Sequence, residues 1–232
     1  MSQPPQPRNP RDGLGRFLLR LAAAALIVVG VTKICHAQQT PAGPPRPPAS
    51  TASPNAATAA QPAASASPTA SLAAMVYAVP VHIDIPDAGI HADVMSLGLG
   101  PGGTLGVPPL SRAKTAGWFD GSPAPGQTGP AIIDAHVDSA LMKDYRGAFY
   151  TLGEVRPGQQ IDVTRADHTV AVFTVDAIQL AAKSDFPTDK VYAPTGYPAL
   201  RLITCGGDFD YKTREYLGNT IVYAHLTSQQ PA

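Results

Sequence analysis

The sequence predicts an all-β fold, a closed or nearly closed barrel over residues 76–228, with separate segments ahead of it. Three observations carry that expectation. From Val76 onward, short runs of β-branched and apolar residues recur between Gly and Pro breaks, the spacing of a many-stranded sheet that must hide its edges. The chain holds 21 Gly and 25 Pro but only 6% aromatic residues, so turns are dense. Within this region only 139–152 and 187–198 leave room for short helices or long loops.

Ahead of the barrel the chain divides into three. Residues 1–16 are polar and carry Arg8, Arg11 and Arg16 against Asp12, a cytoplasmic tail by the excess of positive charge. Residues 17–34, FLLRLAAAALIVVGVTKI, have an apolar centre from Leu21 to Val31, flanked by Arg20 and Lys33, which can snorkel to the interfaces. With those flanks the segment is long enough to span a bilayer as a transmembrane anchor. A cleaved signal peptide is the competing reading, with Cys35-His36-Ala37 as its small-residue context. Either way the body of the protein is exported, and the anchored form places it outside the cell membrane. Residues 35–75 are a Pro/Ala/Ser/Thr-rich linker that cannot bury enough apolar surface to offset its chain entropy.

The strand signals then follow in order. VYAVPVHIDI (76–85) alternates toward its end, and HADVMSLGL (91–99) follows a turn at Asp87–Gly89. PGGTLGVPP (101–109) reads as a tight hairpin and AGWFD (116–120) as a brief strand. GPAIIDAHVD (129–138) is an apolar strand that surfaces into polar residues. Residues 159–180 read as two strands around Ala166-Asp167-His168. ALRLITC (199–205) and GNTIVYAHL (218–226) form a closing pair. About 150 residues suffice for one such core.

Bulk properties exclude several functions. Lys plus Arg and Asp plus Glu each number 17, so no basic balance argues for nucleic acid. The two cysteines are Cys35, in the leader region, and Cys205, which rules out a disulfide framework. Asp84, Asp87, Asp93, Asp134 and Asp138 are scattered over turns and strand ends, and no metal or other cofactor is expected.

Cys205 ends a strand and is followed at once by Gly206 and Gly207. A thiol is mostly protonated at neutral pH, so a nucleophilic one needs an imidazole, a cation or amide donors beside it. His136 closes AIIDAH, where a buried strand reaches the surface. If both strands end at one rim, thiol and imidazole face each other. The other histidines, His36, His82, His91, His168 and His225, read as surface or structural residues. For the oxyanion of an acyl transfer the candidates are Arg214, in the loop YKTREY, Asn219, at the start of the last strand, and the amides of Gly206 and Gly207. Asp138 reads as a capping or solvent-facing residue, with orientation of His136 as the alternative.

LRLITCGGDFDYKTREYLGNTIVYA (200–224), taken with GPAIIDAHVDS (129–139), resembles a sortase. LITCGG-x-FD with Tyr216 and Asn219 is similar to the actinobacterial class F group, and IPDAGIHADV, LGLGPGGTLGVPP and AGWFDGSPAPGQTGPA agree with it. The likeness covers about residues 77–226. It implies an eight-stranded barrel and a membrane-bound cysteine transpeptidase. Such an enzyme cleaves an LPXTG-like C-terminal sorting signal of secreted proteins between Thr and Gly. Cys205 would hold the acyl chain as a thioester, and a peptidoglycan-precursor amine or a pilin lysine would accept it. His136 would move the protons, while Thr204 lines the groove beside Gly206 and Gly207. One departure stands out. Sortases generally carry an Arg on the strand after the cysteine loop, and that position here falls on Asn219. Arg214, upstream, is slightly favoured as third member because a cation also favours the thiolate. Two rivals stay open, an exported cysteine hydrolase and a non-catalytic surface β-barrel that binds. His before Cys in the chain, with Cys on a strand, argues against a papain-like arrangement.

Overall fold

The computed structural model describes residues 43–48 and 72–232. The expected tail, membrane segment and most of the linker lie outside the described residues. Among those described, no helix is long and apolar enough to cross a membrane.

Eight strands form the body: β1 Pro80–Ile85, β2 Ile90–Leu97, β3 Ala116–Phe119, β4 Gly129–Asp134, β5 Gln160–Arg165, β6 Thr169–Ala182, β7 Pro198–Asp210 and β8 Glu215–Pro231. They close in the order β1-β2-β3-β4-β7-β8-β6-β5, and β1 pairs with β5 to seal the ring. Closure removes both sheet edges, which would otherwise expose unpaired backbone. Most neighbours are antiparallel, but β2–β3 and β4–β7 are parallel. One short helix, α1 (Thr188–Tyr192), lies in the connection between β6 and β7, one of the two places the sequence left for it.

Side-chain alternation decides what each strand buries. On β1, Ile83 and Ile85 are fully buried while His82 and Asp84 face out to pair with Asp93 and His91 of β2. The main core fills the barrel with Ile83, Ile133, Phe149, Phe173, Leu200, Leu202 and their neighbours. A second apolar cluster, Ile132, Ala181, Val191, Ile203, Ile221 and Tyr223, takes the alternate residues of β4, β7 and β8. It therefore lies on the outer face, covered in part by Val191 of α1.

The structure departs from the sequence expectation in three places. Residues 76–79 are not part of β1; the Val76 carbonyl is held instead by the Arg165 guanidinium. The expected hairpin at 101–109 reduces to one bridge, Leu99 to Leu105, around a 3-10 turn at Pro101–Gly103. The last two strands are longer than their apolar runs. β7 continues past Cys205 to Asp210, and β8 starts at Glu215, so Cys205 sits within a strand rather than at its end. Backbone pairing across the hairpin sustains that extension where side-chain burial has stopped.

Candidate active site

β4 and β7 are parallel neighbours with Asp134 opposite Ile203. The Ala135 amide still donates to the Ile203 carbonyl at 3.2 Å, one step beyond the strand. Behind them the Thr204 hydroxyl donates to the Ala135 carbonyl at 2.7 Å. His136 is the next residue after Ala135, and Cys205 the next after Thr204. Alternation puts Leu200, Leu202 and Thr204 inside the barrel and Arg201, Ile203 and Cys205 outside. On β4 it puts Ile133 inside and Ile132 and Asp134 outside, and Ala135, one residue beyond the strand, still joins the core. His136 thus leaves the end of β4 beside the strand that carries the thiol, two strands whose axes lie about 4.8 Å apart.

The turn after β4 is braced from below. The Phe149 amide donates to the His136 carbonyl at 3.1 Å and the Gly147 amide to that of Val137 at 2.9 Å. A Cβ on Gly147 would come within 2.0 Å of the His136 carbonyl oxygen, so only glycine permits that approach. His136 Nε2 lies 2.6 Å from the Pro108 carbonyl. A carbonyl can only accept, so Nε2 carries the proton, and in the neutral ring Nδ1 keeps its lone pair. The imidazole is held at one end and able to take a proton at the other.

Cys205 is half-buried and free of any disulfide. Burial pushes its thiol above the ordinary value. The field of Lys183 opposes that, and the carboxylates of Asp138, Asp134 and Glu215 add to it. Directly across the ladder on β8 stands Asn219. Opposed residues of an antiparallel pair share a face, so its amide lies beside the sulfur on the outer surface. Gly206 pairs with Gly218, and the register then shifts before Phe209 meets Tyr216. Gly207 takes up this irregularity with φ +81°, a conformation that a side chain would strain.

Arg214 sits at the tip of the β7–β8 hairpin. It is exposed, with φ +60°, and its backbone amide donates to Asp210 at 2.7 Å. Cys205 and Asp210 are five strand residues apart, about 16 Å at 3.3 Å per residue, a span longer than an arginine side chain. Thr204 is 4% exposed and ties β4 to β7 from behind the thiol, rather than lining the surface in front of it.

Three further residues escaped the sequence reading. Asp134 is buried on the outer face, and burial lifts its carboxyl to about 7. Tyr216 donates its hydroxyl to Asp138, two residues after His136, joining the hairpin to the turn after β4. Burial and then that bond push its phenol up. Lys183, just past β6, reaches Glu215 at 3.6 Å. Asp134 carried a signal, a carboxylate inside an apolar run. Tyr216 stood in the motif without a role and Lys183 carried no signal, because their neighbours come from strands distant in sequence. Among the described residues no three His, Cys, Asp or Glu side chains converge as a metal would require.

A nucleophile, a base with a free lone pair and an amide donor on one surface can perform acyl transfer. A family model described as Sortase domain matches residues 83–227. No curated protein matches the chain in sequence. Among solved structures the chain is similar to sortase A from Listeria monocytogenes, at 17% identity over 67% of this chain and 92% of that one, with a TM-score of 0.50. It is also similar to a lid mutant of sortase A from Corynebacterium diphtheriae, at 21% identity over 66% and 72% of the two chains, TM-score 0.49. A third is the SrtA sortase from Actinomyces oris, at 17% identity over 69% and 84%, TM-score 0.49. At these identities the likeness to the Listeria structure concerns the barrel fold.

Proposed function

Because the chain belongs to the sortase domain family, whose membership implies a cysteine transpeptidase, we propose that it cleaves an LPXTG-like sorting signal between Thr and Gly and transfers the Thr acyl group to an amine of the cell envelope. Class F is the group its motifs resemble. The acceptor is a peptidoglycan-precursor amine or a pilin lysine. Residues 17–34 hold the enzyme in the cell membrane with the barrel outside.

The observation that supports this reading is the register of β4, β7 and β8: Asp134 lies opposite Ile203, two residues before His136 and Cys205, and Cys205 lies opposite Asn219. The chemistry follows from it. The resting thiol is protonated, so Sγ gives its proton to His136 Nδ1 as it attacks the threonine carbonyl. The carbonyl oxygen takes the negative charge and needs a donor. The ladder supports Asn219 for that role ahead of Arg214. The C–N bond then breaks, and the leaving glycine amine takes the proton from His136. What remains is a thioester on Cys205. An incoming amine attacks it, gives a proton to His136, and the C–S bond breaks to restore the thiol.

The test is the mass of the intact protein after incubation with LPXTG-type peptides. We expect an adduct equal to the part of the peptide ahead of the scissile bond, absent in Cys205→Ala. His136→Ala should slow its formation by about 10²–10⁴. An adduct that persists in Cys205→Ala, or none with any peptide of the panel, overturns the reading.

A further inference from the structure

Every carboxylate facing Cys205 makes a thiolate harder to form, and no Arg or Lys lies on β8. On β7 the only cation is Arg201, which is buried and stacked on Tyr223 at 5.0 Å, four residues before the thiol. Arg214 is at the hairpin tip. The positive charge at the thiol has to come from elsewhere.

The ladder shows where. Cys205 pairs with Asn219, and Asn219 pairs with Ala181 of β6, so the three form one row across the outer face. The next row is Gly206, Gly218 and Ala182. Lys183 follows Ala182 and opens the 3-10 turn Lys183–Asp185, just beyond that row. Its side chain crosses over β8, since Nζ lies 3.6 Å from the Glu215 carboxylate. Glu215, Leu217 and Asn219 alternate onto that same face. Glu215 lies four residues before Asn219 on β8, so the ammonium stands toward the hairpin end of the face that carries Cys205, where its field reaches the thiol.

We propose that Lys183 supplies the positive charge of the site: its ammonium, shared with Glu215 in the resting protein, faces Cys205 and stabilises the sulfur as it becomes a thiolate. It acts through its field on Cys205 and positions charge; it forms no bond to the acyl group. Six titratable or charged groups lie around the site. Asp134, His136 and Asp138 come from β4 and the turn after it, Lys183 from beyond β6, and Glu215 and Tyr216 from β8. Lys183 is the fixed cation among them. Glu215 works against it twice, by its own charge on the thiol and by holding the ammonium.

This rests on Cys205 being the nucleophile, but the experiment needs no substrate. Alkylation of Cys205 is followed against pH at low salt in the full-length protein carrying Cys35→Ser, which leaves one thiol. Near pH 8 the rate tracks the thiolate fraction, so Lys183→Gln should be slower by about three- to tenfold. Lys183→Arg should stay within about twofold of wild type, and Glu215→Gln should be faster. The difference between wild type and Lys183→Gln should collapse at about 1 M salt, where the screening length is about 3 Å. A purely structural role for Lys183 would not depend on salt, nor be rescued by Arg. The proposal fails if Lys183→Gln alkylates as fast as wild type. It also fails if Lys183→Arg is as slow as the Gln variant, or if the difference survives high salt. Loss of peptide cleavage with the alkylation pattern intact would count against the transpeptidase reading and leave this one standing.

Discussion

Asn219 and Arg214 differ in what a substitution at each reports. Asn219 faces the thiol across one ladder step. Removing one oxyanion donor costs about 10²–10³ in kcat. We expect that loss for Asn219→Ala with KM little changed. Arg214 adopts φ +60°, where a side chain with a Cβ is strained and glycine is not. Arg214→Gly is therefore the clean test, and it should keep kcat within about tenfold. The opposite pattern in peptide cleavage assays would hand the role to Arg214. Asp134 makes a different prediction. Burial lifts its carboxyl from 3.8 to about 7, with a smaller opposing backbone hydrogen bond. Below about pH 3 it is protonated both folded and unfolded, and nothing is lost. As pH rises toward 7 the unfolded chain gives up the proton while the folded one keeps it, so stability falls. Above 7 the full penalty applies, about 4 kcal/mol for three pKa units. Asp134→Asn keeps the shape without the charge. It should be more stable than wild type at pH 8 and no better at about pH 3 in urea unfolding. Equal gains at both would mean that ionisation is not the cause.

At the scale of the strands, the pairing of β4 with β7 makes the site, and Thr204 holds that pairing from inside the barrel. Its hydroxyl is buried and bonded to the Ala135 carbonyl, the residue before His136. Thr204→Val keeps the volume but leaves that carbonyl without its donor, at a cost of about 1–3 kcal/mol. If the bond also sets the separation of His136 and Cys205, kcat should fall while KM holds. Lost stability with unchanged kcat would confine Thr204 to folding. These strands also show what could be read without coordinates. Apolar alternation in IIDAH and LRLITC marked both strands, because burial leaves a period of two. It also brought Cys205 and His136 forward as a pair. The far end of β7 was illegible, since GGDFD has no such period and is strand only by pairing with β8. Placing Arg214 or Asn219 required that ladder, as the Gly206–Phe209 irregularity breaks any count along the sequence. Lys183 needed three strands in register before it came near the site, through Glu215. The expected hairpin at 101–109 misled because Pro and Gly that favour a turn also deny it flanking strands.

For the molecule as a whole, the described residues ahead of β1 tie into the fold at a few points: Met75 joins the core, the Val76 carbonyl takes the Arg165 guanidinium, and the Pro45 carbonyl packs against Gly153. The barrel runs from Pro80 to Pro231, and the family match at 83–227 lies inside it. Of the earlier residues described, Arg46 meets Asp208 at 2.6 Å, an exposed pair of the kind worth at most about 1 kcal/mol. Under the anchored proposal, residues 17–34 confine the barrel to a shell beside the cell membrane. An enzyme confined to that shell meets sorting signals that leave the same membrane at a raised effective concentration. The barrel's own chemistry is untouched by this. Exchanging residues 1–34 for a cleavable secretion signal should therefore leave kcat/KM on a soluble peptide within about twofold of wild type. Attachment of a surface protein in cells should fall by about 10²-fold. Equal attachment by the released enzyme would remove confinement as an advantage. Recovery of the native protein wholly in the medium would remove the anchor itself, while the site on β4, β7 and β8 would stand or fall by its own assays.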